Sequence, residues 1–283
     1  MAGVETRAAV LAQPELLRRV AAAPLAGSAV FTGCGSSFHA AQTAGPALQA
    51  LEAVLAPPAA DVLVCISHEG TTLLTREAAR AFPGRTVAVT AAAESPLARE
   101  CDEVVLVPGP IEESWCHTRS YTCAVATLAA LRGEHVSWLA DAVEQALGRD
   151  VGAPPSGRVV VAGAGRNWPT AQEAALKLRE GAHLPAEAHE TEQLLHGHLA
   201  AIDETVRAYV LEGEGRAAER ARDAVHALEA LGCETTLLPT RHPAVDVVFF
   251  QLLTLAAAEA RGVDPDRIRR DDPRWRAARE TYA

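Results

Sequence analysis

The sequence predicts an α/β protein made of two doubly wound units, each a parallel sheet flanked by helices. Three observations predict it. Short apolar runs alternate with longer helical segments through most of the 283 residues. A Gly/Pro-rich stretch, GRDVGAPPSGR at 148–158, interrupts that alternation and reads as a linker. Beyond it the same rhythm restarts, strand then Gly-rich turn then helix. At about 150 residues per domain the length suits two units, placed at 1–150 and 151–283.

The stretch 4–22, rich in Ala, Leu and Arg, reads as a helix interrupted by Pro14 and stopped by Pro24. Then come a strand at 28–32, a helix at 37–55, a strand at 61–66, a helix at 72–81 and strands at 85–90 and 103–107. Residues 118–147 form a long apolar helical run whose weak point is Gly133. After the linker the expected order is strand 159–162, helix 169–182, strand 206–211, helix 216–231, strand 234–238 and helix 248–261. Apolar strands spaced by helices belong to parallel sheets covered on both faces. The last stretch, GVDPDRIRRDDPRWRAARETYA, is either a solvated tail or a loop folded over a site.

Composition narrows the function. Hydrophobic residues make up 49% and charged residues 22%, enough for a sizeable core and against a disordered chain. The net charge of −10, from 36 acidic and 26 basic side chains, disfavours nucleic acid as a partner. No uninterrupted apolar run reaches the ~18 residues of a membrane span. Glu5, Arg7 and Glu15 interrupt any secretory signal. Six cysteines without a CxxC pair suit a reduced, cytoplasmic chain. Lys177 is the only lysine among the 26 basic residues.

In an open parallel sheet, ligands bind beyond the carboxyl ends of strands, against helix N-termini. Three turns are placed that way. In Thr32-Gly33-Cys34-Gly35-Ser36-Ser37, two glycines permit close backbone approach and two hydroxyls can hold an anion. The alternative is that Ser36 and Ser37 only cap the helix. The turn is not GxGxxG and no acid follows at ribose distance, which argues against a dinucleotide. In Ser67-His68-Glu69-Gly70-Thr71-Thr72 the plainer reading is a cap, with Glu69 answering the helix dipole. The third turn, Gly163 to Trp168, leads into Pro169, a residue suited to the first helical position.

The following helix carries Glu173, Lys177 and Glu180 at i, i+4 and i+7, on one face. Spacing alone favours a salt-bridge stripe. The flanking Ala171, Ala174, Ala175, Leu176 and Leu178 argue for a half-buried helix, in which carboxylates around a lysine can carry protons. His183, His189, His196 and His198 match no HExxH spacing and have no Cys or Asp to complete a zinc set. No metal is expected, and a lone acid–base histidine is the better use of the group.

These segments together resemble the double-SIS (sugar isomerase) domain family, from about residue 28 to 275. The likeness is to the isomerase half of glucosamine-6-phosphate synthase and to related ketose/aldose isomerases, deaminases and deglycases. CGSSFHAA at 34–41 is similar to the family's CGTSxxAG turn, SHEGTT at 67–72 stands where the family has SQSGET, and ESWCHTRSYT at 113–122 resembles the segment opening the long helix, with Glu112 or Glu113 as its acid. The strongest match is GRNWPTAQEAALKLREGAHLPAEAHETEQLLHGHLAAID at 165–203.

The resemblance implies that Glu180 moves a proton between sugar C1 and C2, with Glu173 and Lys177 as its helix neighbours. It implies that His196 opens the sugar ring and reaches in from a second subunit of a homodimer. Gly35, Ser36, Ser37, Ser67, His68, Glu69 and Thr72 fall where the family grips a sugar phosphate, with Arg119 nearby. No cofactor is implied. The family's C-terminal lysine has no counterpart, since Pro273-Arg274 is followed by Trp275, Arg276, Ala277 and Ala278. A phosphate-binding serine is replaced by Glu69, and a glutamine by His68. A phosphate dianion about 5 Å from Glu69 meets roughly 7 kcal/mol of repulsion at an effective dielectric of ~20. The pocket is therefore expected to prefer a hydroxyl or amine there unless Glu69 turns away or Arg119 swings in. The function expected is a sugar or amino-sugar isomerase, deaminase or deglycase. The rival is a non-catalytic sugar-binding module or an inactive paralogue.

Overall fold

The computed structural model describes residues 2–282, and its strands fall into two separate all-parallel sheets. The first is built from β1 (Ala29–Gly33), β2 (Ala47–Gln49), β3 (Val62–Ile66), β4 (Arg85–Thr90) and β5 (Glu103–Leu106), in the order β2-β1-β3-β4-β5. The second uses β6 (Val159–Gly163), β7 (Ala186–Glu190), β8 (Arg207–Leu211) and β9 (Glu234–Leu238), in the order β7-β6-β8-β9. Register places Phe31 beside Val64 and Val64 beside Val87 in one sheet, and Val161 beside Tyr209 in the other. Both central strands β3 and β6 are buried along their whole length, as strands covered on two faces must be. In each sheet the strand order reverses at one point, between β1 and β3 and between β6 and β8.

The helices around the first sheet are α1 (Val4–Leu17), α2 (Ser36–Ala44), α3 (Ala50–Leu55), α4 (Leu73–Ala81), α5 (Pro96–Glu100), α6 (Thr118–Leu131) and α7 (Leu139–Leu147). Those that follow are α8 (Trp168–Ala182), α9 (Thr191–Leu195), α10 (Arg216–Ala230), α11 (Pro243–Arg261) and α12 (Pro273–Glu280). One hydrophobic core joins the units: Ala244, Val245, Val247 and Val248 of α11 pack among Leu128, Leu139 and Val143. The other face of α11 covers α8. α11 is long and apolar enough to cross a membrane by length and composition, yet 78% of its most apolar window is buried inside the protein.

Several expected elements are corrected. The helix at 37–55 is two helices, because Gly45 (φ 150) and Pro46 end α2 and the chain then spends Ala47–Gln49 in β2. The run at 118–147 also divides, with Gly133 at φ 81 opening a loop between α6 and α7. Pro14 lies inside α1 without stopping it, and the helix ends at Leu17. β7 has no apolar signal because AEAHE is an edge strand with mostly half-buried positions. α11 starts at Pro243, earlier than 248, where the His242 Nδ1 accepts from the Ala244 N–H at 3.1 Å. The charged tail is not simply solvated: it folds back, and its end forms α12.

Candidate active site

The first cavity-forming turn follows β1. Gly33 is required by close packing, since a Cβ there would sit 2.9 Å from Ser37 backbone and side-chain carbons. Gly35 holds φ 55 and is the residue before α2, so Ser36 and Ser37 lie inside the helix and do not cap it. The second turn follows β3, on the other side of the strand-order reversal. There the Ser67 and Thr72 hydroxyls are 3.0 Å apart. Thr72 precedes α4 and makes no side-chain cap bond, and Glu69 likewise faces the cavity instead of serving as a cap.

These turns line a cavity of about 470 Å³. Gly35, Ser36, Ser37, Ser67, His68, Glu69 and Thr72 all border it, and so does Glu180 from α8 in the second unit. Glu173 and Lys177 stand behind Glu180. Lys177 is 1% exposed and its Nζ lies 2.7 Å from Glu180 Oε2 and 3.5 Å from Glu173 Oε1. It also donates to the Cys116 carbonyl oxygen. Fully buried Glu173 is in turn 2.8 Å from His39 Nδ1 on α2. The row His39–Glu173–Lys177–Glu180 therefore runs from the first unit through α8 to the cavity. Burial works to lower the Lys177 pKa, but the Glu180 and Glu173 carboxylates outweigh it and raise it above the ordinary value. Burial likewise works to raise Glu173, and Lys177 and His39 reverse that, holding it below the usual carboxylate value.

The loop ahead of α6 supplies a further wall. Buried Glu112 accepts from the Thr118 and Ser120 N–H groups, both at 2.8 Å, and so caps α6. Of the two acids the sequence left open, Glu112 is buried and Glu113 is exposed. The Glu112 N–H donates to His68 Nε2 at 2.9 Å, leaving Nδ1 to carry the His68 hydrogen. Burial is the chief reason His68 has a lowered pKa. His117 and Trp115 also line the cavity.

Arg270, from the tail, is the cavity's one cation among the described residues. Its guanidinium carbon stacks 3.4 Å over the centre of the Trp115 ring. The tail is anchored there by Asp266, which accepts from the Thr6 N–H at 2.7 Å, while its carbonyl accepts from the Trp115 N–H at 3.1 Å. It then turns through Ile268 and Arg269, both at positive φ. Burial and Arg279 lower the Arg270 pKa, against the pull of Glu69 and Glu180. Sequence reasoning missed Arg270, Trp115 as a stacking partner, and His117. The tail's position depends on contacts with α1, more than 250 residues away, which no local pattern reports.

Two expected residues are not at the cavity. Arg119 does not swing in: its guanidinium donates to the Pro110 carbonyl oxygen at 2.9 Å on the surface. His196 is 69% exposed, beside Glu192 at 2.8 Å, and is not among the cavity's residues.

Comparison with known proteins finds the following similarities. Residues 155–248 match the SIS domain. The chain is 28% identical, over 94% of its length, to the isomerizing glutamine–fructose-6-phosphate aminotransferase of Aeropyrum pernix. It is 27% identical over 91% to the same-named protein of Pyrobaculum aerophilum. It spans about half the length of these relatives, 54% and 53%. Tagatose-6-phosphate ketose/aldose isomerase from Escherichia coli superposes with a TM-score of 0.79 at 18% identity, covering 94% of this chain and 95% of that one. Glucosamine-6-phosphate deaminase from Thermotoga maritima gives 0.73 at 19% identity, covering 93% and 97%.

Proposed function

We propose, from the match of residues 155–248 to the SIS domain, that the protein is a sugar isomerase, deaminase or deglycase. Its reaction is proton transfer between C1 and C2. The observation that carries this reading is that Glu180, on α8 of the second unit, opens into the same cavity as Ser37, Ser67 and Thr72 of the first. The hydroxyl-bearing turns hold one end of an open-chain sugar and Glu180 meets the other. Glu180 takes the proton beside the carbonyl, an enediol or enolamine forms, and the proton returns to the adjacent carbon. A positioned base of this kind contributes ~100- to 10,000-fold. Lys177 orients Glu180 through the 2.7 Å contact and acts as a fixed cation, its own proton held by two carboxylates.

The named substrates of the relatives are six-carbon sugar phosphates, but the cavity of this chain favours an unphosphorylated end. Glu69 and Glu180 face one guanidinium, Arg270, and Glu180 is also paired with Lys177. Arg270 thus answers Glu69, the part expected of Arg119, yet leaves no excess positive charge for a dianion. A hydroxyl or amine bound by Ser37, Ser67 and Thr72 suits that field.

We place His196 in the active site of a second copy, in a homodimer with shared sites, because it is exposed and apart from its own cavity. The apolar run at 118–147 does not itself support a dimer, since every residue of α6 except Arg119 is buried within one chain. Free cysteines at all six positions suit the cytoplasm.

Calorimetry with two matched pairs, fructose 6-phosphate against fructose and glucosamine 6-phosphate against glucosamine, tests the reading. At least one sugar should bind, the unphosphorylated member more tightly, and Glu69→Ser should shift the preference toward the phosphate. Tighter binding of the phosphorylated sugar to the unaltered protein would contradict the role given to Glu69. Failure of all four to bind would count against the sugar reading.

A further inference from the structure

His117 borders the cavity with no task in the reaction above. It sits just before α6 at φ 48, in the left-handed region that non-glycine residues rarely adopt. Its side chain makes no cap bond, because Glu112 already caps that helix. The turn is pinned from two sides. Lys177 Nζ donates to the carbonyl oxygen of Cys116, and Trp115 N–H donates to Asp266 in the tail. The lysine that orients Glu180 therefore also fixes the peptide next to His117. The imidazole stands edge-on to His68, ring centres 5.5 Å apart, and to Trp115 at 6.2 Å. Its Nδ1 is buried and has no hydrogen-bond partner among the described residues. An unpaired buried ring nitrogen is costly, and backbone strain concentrates at functional sites. Nε2, which is not buried in this way and has no hydrogen bond among the described residues, is the nitrogen open to a ligand.

We propose, resting on the C1–C2 proton transfer above, that His117 carries the proton between the two sugar oxygens O1 and O2. As Glu180 takes a hydrogen from C1, that C–H electron pair becomes the C1=C2 bond. The C2 carbonyl pair moves to O2, which takes a proton from the His117 ring N–H. O1–H then gives a proton back to the ring as its electrons form C1=O. The C1=C2 pair recovers the proton from Glu180 at C2. Imidazole and carboxylate end as they began. C1 is oxidised and C2 reduced within one molecule, so no outside oxidant or reductant is needed.

A neutral imidazole suits this work, a use known from triosephosphate isomerase. Burial is the main reason the His117 pKa falls to about 4. The charges of Lys177, His68 and Arg270 add to it, and Glu112 opposes it. The ring is thus neutral from about pH 5 upward.

The test follows fructose and fructose 6-phosphate in D₂O by NMR, reading exchange at C1 and aldose formation. His117→Ala should slow both ~100- to 10,000-fold, with sugar binding within a few-fold. Added imidazole should restore part of the rate to His117→Ala, and none to His117→Phe, in which the space is filled. Ordinary rates in both variants would overturn this proposal alone. Absence of both exchange and aldose formation by the unaltered protein would take down the underlying reaction and this proposal with it. Carbethoxylation by diethyl pyrocarbonate, mapped by mass spectrometry, checks the ring without a variant. His117 should react equally at pH 5.5 and 7.5, whereas an imidazole of ordinary pKa near 6.5 slows about tenfold at the lower pH. A tenfold drop at His117, or no reaction there, would also overturn the proposal.

Discussion

Lys177 is closed off from water at 1% exposure, so its charge must be met inside the protein, and Glu173 and Glu180 meet it. Removing the ammonium leaves the fully buried Glu173 carboxylate without its nearest full positive charge, beside His39 and Ser36. Breaking one partner out of a buried pair costs ~3–5 kcal/mol. Lys177→Met should therefore lose about that much in urea unfolding. Adding Glu173→Gln should recover most of it, because the stranded charge is gone. A loss within ~1 kcal/mol would match an exposed ion pair instead and contradict the burial. The helical spacing of the three residues was readable in the sequence. It showed one shared face, but not that Glu180 alone reaches the cavity. Nor did it show that Glu173 finds its partner on α2, 134 residues earlier.

At the level of elements, α11 shows burial overriding a helix dipole. Asp246 lies in its first turn, where an acid is normally favoured. Burial nevertheless raises its pKa to about 7, with the Arg241 N–H opposing. In the unfolded chain an aspartate titrates near ~3.9. Between these values the folded protein holds a proton that the unfolded chain has shed. The contribution of Asp246 to stability should thus fall as pH rises from about 4 to 7 and then level off. Asp246→Asn should flatten that slope in thermal unfolding, gaining at most ~4 kcal/mol over the parent at pH 8 and little at pH 4. An equal effect at both pH values would contradict a raised pKa. The apolar strands β1, β3, β4, β6 and β8 were legible because two covered faces leave a continuous apolar run. β2 and β7 were not, since β2 is only three residues long and AEAHE of β7 carries two glutamates and a histidine. The binding turns were legible for the opposite reason: Gly33 and Gly35 are demanded locally, by contact and by φ.

At the scale of the whole molecule, the cavity belongs to neither unit alone. The first gives the hydroxyl-bearing turns, the second gives Glu180, and the tail gives Arg270. A second copy giving His196 would make the protein a shared-site dimer. Mixing Glu180→Gln with His196→Ala tests that arrangement. Random exchange into hybrid dimers should restore about one quarter of parental activity, since each hybrid holds one intact site. No recovery, despite exchange of subunits seen by mass spectrometry, would contradict a site shared between two copies. The central claim is narrower: Glu180 is the base that moves the proton between C1 and C2. It is tested most directly by deuterium uptake at C1 of a ketose the protein binds, followed by NMR in D₂O with the parent and Glu180→Gln. The account predicts uptake by the parent and its loss, by at least ~100-fold, in Glu180→Gln, with the sugar still bound within a few-fold. Undiminished uptake in Glu180→Gln would contradict it.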